Sequence, residues 1–307
     1  MKEDQGIFFS RAGYAIDAPC KINLHLRIMG KRLDGFHDLE SIFLALDFGD
    51  TLFFELGGED GSCDIEILDE SIPVRIEPDK NLIVKAVSLF RSVTAFTPGV
   101  RIRLLKRIPL GGGLGGGSSD AASTLIAMQR LSGVELPQYT LDRMAGDLGS
   151  DVPFFFKRGA AIVRGRGDLL KPIPMPRQLW FVLVCPDFAS NTAAAFRLLN
   201  RRRYIEPAKS GVLEDEQLVK ALGNEPEMWP FVNDFLPVFL NAGPPDTAAA
   251  YRSMLEDLKK TGAVFSGLSG SGSVCFGVFT DKETAEIAAG TLERRWNFVR
   301  LSFFLAC

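Results

Sequence analysis

Residues 111–120 read GGGLGGGSSD, with six glycines among the first seven residues. Glycine weakens regular secondary structure, so this run indicates a backbone that must approach something closely. A glycine loop before a helix N-terminus directs backbone N–H groups and the helix dipole at an anion, which predicts a phosphate-binding site. The alternative is that Ser118, Ser119 and Asp120 only cap the helix and the glycines form a turn.

Two other phosphate-binding loops fit this stretch less well. The run 111–116 satisfies GxGxxG, but the acidic residue near the required distance, Glu135, lies in SGVELPQY, which does not read as a buried strand. A Walker A loop needs a lysine at position 118, where this chain has serine. A dehydrogenase with a dinucleotide-binding core is therefore a distant alternative, and the Walker mechanism is set aside.

Other polar residues stand where chemistry could use them. Lys21, Asn23 and His25 alternate with apolar residues, which predicts a half-buried strand with a polar face. Asp151 lies in SDVPFFF and His37 in DGFHDLE. Each also has an ordinary interpretation: a solvated lysine, an aspartate in a turn, a histidine at the surface.

The elements that must position these residues come as runs of strands and of helices. This order favours an α+β fold over a doubly wound α/β fold. Helical spacing predicts a helix over 80–92 and another after the glycine loop. TLFFEL and CDIEIL, separated by a Gly/Asp-rich turn within residues 51–68, predict a β-meander. We place a boundary near residue 165, which gives domains 1–165 and 166–307.

Composition limits the classes of partner. The chain has 307 residues, with 35 basic and 38 acidic side chains and a net charge of −3, so no nucleic-acid partner is expected. Its five cysteines are dispersed without a CxxC pair, which is typical of reduced thiols in a cytoplasmic protein. Because there are only two histidines, a histidine-based zinc site is not expected.

Nothing in the sequence indicates secretion or a membrane partner. The first residues, MKEDQGIFFSRAG, carry charges where a signal peptide has an apolar core. The longest apolar runs, such as 179–185, are far shorter than the roughly 18 residues of a membrane span. We therefore expect a cytoplasmic location.

Five segments, in this order, resemble the GHMP kinase superfamily: APCKINLHLRIMGKRLDGFHDLES, NLIVKA, PLGGGLGGGSSDAA, GSDVPFFF and FSGLSGSGSVCF. DGFH, shortly after APCKIN, is similar to the branch that phosphorylates the 2-hydroxyl of a cytidine diphosphate methylerythritol in the non-mevalonate isoprenoid pathway. The resemblance implies a left-handed-crossover-type N-terminal nucleotide domain and a ferredoxin-like C-terminal substrate domain. It also implies ATP and Mg²⁺ as cofactors, a small-molecule substrate, and a monomer or weak homodimer.

The resemblance assigns catalytic roles to two residues. Asp151 would accept the proton of the attacking hydroxyl, and Lys21 would stabilise the charge on the transferred group. The nucleotide-binding residues that it implies are Asn81, Lys106, Gly111, Gly112, Gly113, Leu114, Gly115, Gly116, Gly117, Ser118 and Ser119. The serines would add hydroxyl donors or a contact to Mg²⁺, and Asn81 has the alternative role of capping the helix that follows.

The substrate-binding residues implied by the resemblance are Asn23, Phe36, His37, Thr192, Phe196 and Gly270. His37 would hydrogen-bond the edge of cytosine, with Phe36 and Phe196 stacking on its faces. Phe36 stands where many relatives are expected to have tyrosine, so a phenol hydrogen bond is lost. Phe196 could instead be a core residue of an amphipathic helix, and the loop 267–273 could be an ordinary glycine hairpin.

Two alternative functions remain open. Another GHMP kinase, for homoserine or phosphomevalonate, is disfavoured by DGFH and Phe196 because those substrates have no base to stack. A non-catalytic nucleotide-binding protein of the same fold would be expected to lack Lys21 or Asp151, and this chain has both.

Overall fold

The structure is a computed structural model that describes residues 13–68, 81–205 and 213–306. The N-terminal segment 1–12 and Cys307 lie outside these residues. The described residues form two compact units that interleave along the chain: the first comprises residues 13–20, 49–68, 81–108 and 115–157, and the second comprises 21–48, 109–114, 158–205 and 213–306. The domains expected from the sequence, 1–165 and 166–307, are continuous stretches of chain and not interleaved segments. They stay a prediction.

The described residues form strands and helices whose bounds are as follows. The strands are β1 (Gly13–Lys31), β2 (His37–Leu56), β3 (Cys63–Ile67), β4 (Val100–Leu105), β5 (Ala160–Arg164), β6 (Leu169–Ile173), β7 (Trp180–Cys185), β8 (Phe265–Leu268), β9 (Cys275–Phe279) and β10 (Phe298–Phe303). The helices are α1 (Leu82–Thr94), α2 (Gly116–Ser132), α3 (Gln138–Leu148), α4 (Val152–Lys157), α5 (Thr192–Ile205), α6 (Asp215–Leu222), α7 (Phe235–Ala242), α8 (Pro245–Lys260) and α9 (Lys282–Leu292). Within these ranges, no helix is both long and apolar enough to cross a membrane.

In the first unit, β4 pairs antiparallel with the second half of β2 and parallel with β3. The β-meander predicted for residues 51–68 is therefore wrong, because β4 lies between the two strands that were expected to be neighbours. Helix α1 joins β3 to β4, which is the crossover that two parallel strands require. Helix α2 packs against α1, α3 and α4, so residues 119–125 are all buried.

In the second unit, the first half of β2 pairs with β5, and β5 pairs with β6. A separate antiparallel sheet has the order β10-β7-β9-β8. Helix α8 precedes β8 and α9 connects β9 to β10, which gives the split βαβ arrangement of a ferredoxin-like domain. Val182, Tyr251, Met254, Leu258 and Ala288 belong to the hydrophobic core of this unit.

The polar face of β1 is buried, contrary to the half-buried strand predicted from its alternation. Lys21, Asn23 and His25 are 4%, 3% and 0% exposed. Their polar atoms have partners inside the protein, which is what allows such groups to leave water. Lys21 Nζ donates to Asn23 Oδ1 at 2.6 Å, and Asn23 Nδ2 donates to Ser41 Oγ at 3.0 Å.

His25 belongs to a buried ionic network centred on Glu40. Glu40 is fully buried, lies 3.3 Å from His25 Nε2, and accepts hydrogen bonds from Arg164 and from the Leu213 N–H. Arg164 also binds Asp215 at 3.0 Å. Burial raises the pKa of Glu40, but the hydrogen bonds from His25, Leu213 and Arg164 outweigh it and hold the pKa below its usual range.

We expect Glu40→Gln to destabilise the protein at neutral pH by about 1–3 kcal/mol, because it removes a buried charge that accepts several hydrogen bonds. A carboxylate with a lowered folded-state pKa contributes stability above its unfolded pKa, and this stability is lost as the pH falls through the folded pKa. In urea unfolding, the difference between wild type and the variant should therefore shrink below about pH 4.

Glu55→Gln provides the matched control. Glu55 pairs with Arg103 at 3.0 Å, but the two side chains are 45% and 48% exposed, so its loss should cost less than about 1 kcal/mol. An equal effect of the two substitutions, or a Glu40 effect that is constant with pH, would contradict this account of the network.

Candidate active site

The glycine loop follows a backbone path that only glycine adopts readily. Gly111, Gly113 and Gly115 have φ values of 66°, 76° and 72°, in the left-handed region. The carbonyls along the loop accept hydrogen bonds within the second unit. The Gly111, Gly112 and Leu114 oxygens accept from the N–H groups of Ser273, Val274 and Lys21, and the Gly113 oxygen accepts from Ser269 Oγ.

Close packing also requires glycine at several of these positions. A Cβ on Gly113 would lie 2.1 Å from the Ser269 carbonyl oxygen, and one on Gly111 would lie 3.0 Å from the Ser190 oxygen. In the first unit, a Cβ on Gly116 would lie 2.9 Å from Ile108 Cγ2. Part of the glycine run is therefore required by the protein's own packing and does not by itself indicate a ligand.

Gly117 differs from these glycines. It is exposed, it lies in the first turn of α2, and a Cβ there would meet only Leu82 Cδ1 at an ordinary 3.7 Å. No atom of the described residues is close enough to exclude a side chain at this position. An open surface at the start of a helix is a place where a bound anion could approach the backbone.

Helix α2 begins at Gly116, within the glycine run, and its N-cap residue, Gly115, makes no side-chain capping hydrogen bond. The interpretation of Ser118, Ser119 and Asp120 as caps is therefore wrong, because these residues lie within the helix. Ser118 is half-buried. Within the described part of the chain, Ser119 Oγ and Asp120 Oδ1 are buried without a hydrogen-bond partner.

Lys106 lies in a buried ionic cluster behind the start of α2. Its Nζ is 2.5 Å from Asp50 Oδ2 and 2.9 Å from Asp120 Oδ2, and the side chain is 1% exposed. Burial lowers the pKa of Lys106, but the two carboxylates outweigh it and raise the pKa. Burial, together with the nearby Asp50, raises the pKa of Asp120 to about 7 despite the opposing effect of Lys106. The predicted contact of Lys106 with the nucleotide stays a prediction.

Asn81 and Asp151 also belong to the first unit. Asn81 is the N-cap of α1, and its Oδ1 accepts from the Ile83 N–H at 2.9 Å, as the capping interpretation expected. Asp151 is half-buried in the turn that immediately precedes α4. Their expected roles toward a ligand stay predictions.

In the second unit, the predicted residues of β1 come together with the loop 267–273. The Asn23 N–H donates to Ser269 Oγ at 3.3 Å, and a Cβ on Gly270 would lie 3.4 Å from Asn23 Oδ1. Thr192 Oγ1 lies 2.9 Å from Ser271 Oγ in the same loop. Lys21, Asn23, Thr192 and Gly270 are thus linked through this loop.

The aromatic residues are arranged differently from the expected base sandwich. The His37 ring stacks on Phe196, with centroids 4.5 Å apart and planes 23° apart. Phe36 is 51% exposed, and the guanidinium of Arg166 lies 5.4 Å from its ring centroid. The proposed stacking of Phe36 and Phe196 on the two faces of a base stays a prediction.

No sequence motif indicated Asn233, a residue that holds the loop 267–273 in place. Asn233 is buried, and its Nδ2 donates to the carbonyl oxygens of Leu268 and Gly270 at 2.7 and 2.8 Å. The signal was the polar pair Asn233-Asp234 inside the apolar stretch PFVNDFLPVF. A polar residue at a buried position must be satisfied by a nearby partner, but the sequence does not show which partner that is.

The different packing around Gly113 and Gly117 predicts different effects of alanine substitution on the free energy of unfolding. We expect Gly113→Ala to lower the free energy of unfolding by about 1–3 kcal/mol, because its Cβ would overlap a backbone carbonyl. Gly117→Ala should leave stability unchanged or raise it by up to about 1 kcal/mol, because alanine is the better helix residue. Urea unfolding of both variants checks this, and equal stabilities would contradict the packing argument.

Comparisons with known proteins agree with the motif order. The family described as GHMP kinases N terminal domain matches residues 81–159, and the one described as GHMP kinases C terminal matches residues 240–297. The first range includes the glycine loop and Asp151, and the second includes the loop 267–273. Lys21 and His37 lie outside both ranges.

Three similar proteins carry the same name. A 4-diphosphocytidyl-2-C-methyl-D-erythritol kinase from Thermodesulfovibrio yellowstonii is 36% identical over 278 residues, which cover 90% of this chain and 93% of the relative. The chloroplastic enzyme of that name from Oryza sativa is 37% identical over 85% of this chain, which spans 63% of that longer relative. A crystal structure of 4-(cytidine 5′-diphospho)-2C-methyl-D-erythritol kinase aligns with a TM-score of 0.77 and 31% identity, covering 95% of this chain and 100% of that one.

Proposed function

Since the chain belongs to the 4-diphosphocytidyl-2-C-methyl-D-erythritol kinase family of GHMP kinases, we propose that it transfers the γ-phosphoryl group of ATP to the 2-hydroxyl of 4-diphosphocytidyl-2-C-methyl-D-erythritol. Family membership confirms the predicted two-domain α+β fold and the assignment as an ATP-dependent phosphotransferase. The reaction belongs to the non-mevalonate route to isoprenoid precursors.

The main support for this proposal is the start of α2, which follows the glycine loop in the chain and has no side-chain cap. The carbonyl oxygens of residues 111–114 accept hydrogen bonds from other parts of the protein. We infer that the N–H groups of the loop are the groups that contact the phosphates. The first N–H groups of α2 have no partner within the helix and carry the positive end of its dipole. The missing side chain at Gly117 leaves room for the ligand to approach them.

The oxygen atoms at the start of α2 fit a magnesium ion bound with the nucleotide. Mg²⁺ prefers oxygen ligands and is usually held by one or two protein groups together with substrate phosphates. Ser119 Oγ has no hydrogen-bond partner among the described residues, and Ser118 lies one residue before it in the same turn. We propose that these two serines hold the ion, which would neutralise the charge of the phosphates.

The residues that perform the transfer are Lys21 and Asp151. Phosphoryl transfer depends mainly on positioning and on charge stabilisation. The Lys21 ammonium is held by Asn23 at 2.6 Å and lies 4.3 Å from the ring centroid of Phe43, which supports a fixed positive charge for the transferred group. Asp151 would accept the proton of the 2-hydroxyl as its oxygen attacks the γ-phosphorus.

We also propose a cytoplasmic location and a monomer or weak homodimer. Bacterial relatives of similar length and the dispersed cysteines support the location. Cell fractionation and size-exclusion chromatography with light scattering test the two statements.

A coupled ADP-release assay tests the proposed activity. With ATP and Mg²⁺, the protein should release ADP in the presence of the cytidine diphosphate substrate and remain near background with homoserine or phosphomevalonate. Faster turnover with either of the other two acceptors would replace the proposal with a different kinase activity.

Gly117→Ala tests the nucleotide site. We expect the KM for ATP to rise by about tenfold, equivalent to roughly 1.4 kcal/mol of lost binding, while the KM for the cytidine substrate stays constant. Gly146→Ala is the matched control, since Gly146 lies within α3 and a Cβ added to it would meet no atom within 4 Å. An unchanged KM for ATP in the Gly117 variant would remove this glycine from the nucleotide site.

Asp151→Asn tests the general base. We expect kcat to fall by about 10²–10⁴-fold while ATP affinity, measured by calorimetry, is retained. Asp147→Asn, at an exposed position of α3, should keep near-normal turnover. An Asp151 variant that turns over like wild type would show that another group takes the proton.

A further inference from the structure

Helix α5 contacts the imidazole of His37 at two points. The Phe196 ring covers one face of it, and Asn200 Oδ1 lies 3.1 Å from Nε2. Phe196 and Asn200 are four residues apart, so they lie on the same face of the helix. Phe196 in turn packs edge-on against the buried ring of Phe235, with centroids 5.0 Å apart. The imidazole is therefore oriented by a platform that is itself anchored in the core.

The contact with Asn200 determines the chemistry of the other ring nitrogen. An amide oxygen only accepts hydrogen bonds, so a hydrogen bond between Asn200 Oδ1 and Nε2 of His37 requires the tautomer with hydrogen on Nε2. In the neutral imidazole, Nδ1 is then an acceptor. Nδ1 therefore suits a donor on the edge of a bound base.

Pyrimidine bases differ in the group that they would present to such an acceptor. Cytosine carries an amino group at position 4, which donates a hydrogen bond, whereas uracil carries a carbonyl oxygen there. An acceptor that faces a carbonyl oxygen leaves both groups unpaired, which weakens binding. The tautomer of His37 therefore distinguishes the two bases.

We propose that Asn200 is a positioning residue that makes the protein select cytosine over uracil, by holding His37 in the tautomer with hydrogen on Nε2. This inference rests on the proposed function and on the contact between His37 and cytosine that the family resemblance implies. It assigns a role to the C-terminal part of α5, for which the sequence motifs gave none.

The tautomer can be observed directly because the chain has only two histidines, His25 and His37. In long-range ¹H–¹⁵N spectra of the free protein, the His37 signals are those missing from the His37→Ala variant. The wild type should show an unprotonated Nδ1 on His37. Asn200→Ala should shift both nitrogens toward the average values of a tautomer mixture.

Binding of cytidine 5′-diphosphate and uridine 5′-diphosphate, measured as competition with the cytidine substrate, tests the selectivity. The wild type should prefer the cytidine probe by about tenfold or more. In Asn200→Ala this preference should fall toward one and the KM for the cytidine substrate should rise, while the KM for ATP stays constant. Arg197→Ala, at an exposed position on the same helix, is the control and should behave as wild type.

Asn200→Asp adds a second variant. A carboxylate beside Nε2 favours the protonated imidazole, in which both nitrogens are donors, so the preference for cytosine should again be lost. An unchanged His37 tautomer in Asn200→Ala, or a changed tautomer with an unchanged preference, would overturn the inference while the kinase activity stands. If the wild type turned over no cytidine substrate, the proposed function would fail and the inference would fall with it.

Discussion

The glycine loop must lie closer to the backbone of residues 269–274 than any side chain allows. Gly113 sits where a Cβ would overlap the Ser269 carbonyl, and three successive loop residues give their carbonyls to Ser273, Val274 and Ser269. This contact fixes the backbone path of residues 111–114 within the second unit. Packing thus requires glycine at Gly111, Gly113 and Gly116, whereas Gly117 has no such packing requirement.

Each unit contains a buried ionic cluster. In the first, Lys106 binds both Asp50 and Asp120 behind the start of α2, and in the second, Glu40 is held by His25 and Arg164. The partners in each cluster cannot separate easily, because a buried charge that loses its partner destabilises the protein by several kilocalories per mole. Residues on the polar face of β1 follow the same rule. They are buried because each finds a partner, and this places Lys21 and Asn23 against the loops.

The sequence was informative where a local pattern was enough. The helix predicted over 80–92 is α1, its Asn81 cap is confirmed, and the motif order predicted the family. Predictions from the sequence were wrong where the structure depends on residues that are distant in the chain. The parallel pairing of β3 with β4 needs a helix between them, so adjacent strand-like segments were wrongly expected to form a meander. The alternative that Ser118, Ser119 and Asp120 only cap the helix was also wrong, because α2 already begins at Gly116 and these residues lie within it. The partners of Asn200 and Asn233 are likewise set by tertiary structure alone.

In the proposed reaction, the phosphoryl group is transferred to the 2-hydroxyl of the cytidine diphosphate substrate. The proton-coupled ³¹P spectrum of the product tests this most directly. The carbon that carries this hydroxyl also carries the methyl group and has no hydrogen of its own. We therefore expect one new phosphomonoester signal without splitting by a proton on the esterified carbon, formed in step with ADP. A split signal, which would place the phosphate on another hydroxyl, or ADP formed without a new phosphomonoester, would contradict it.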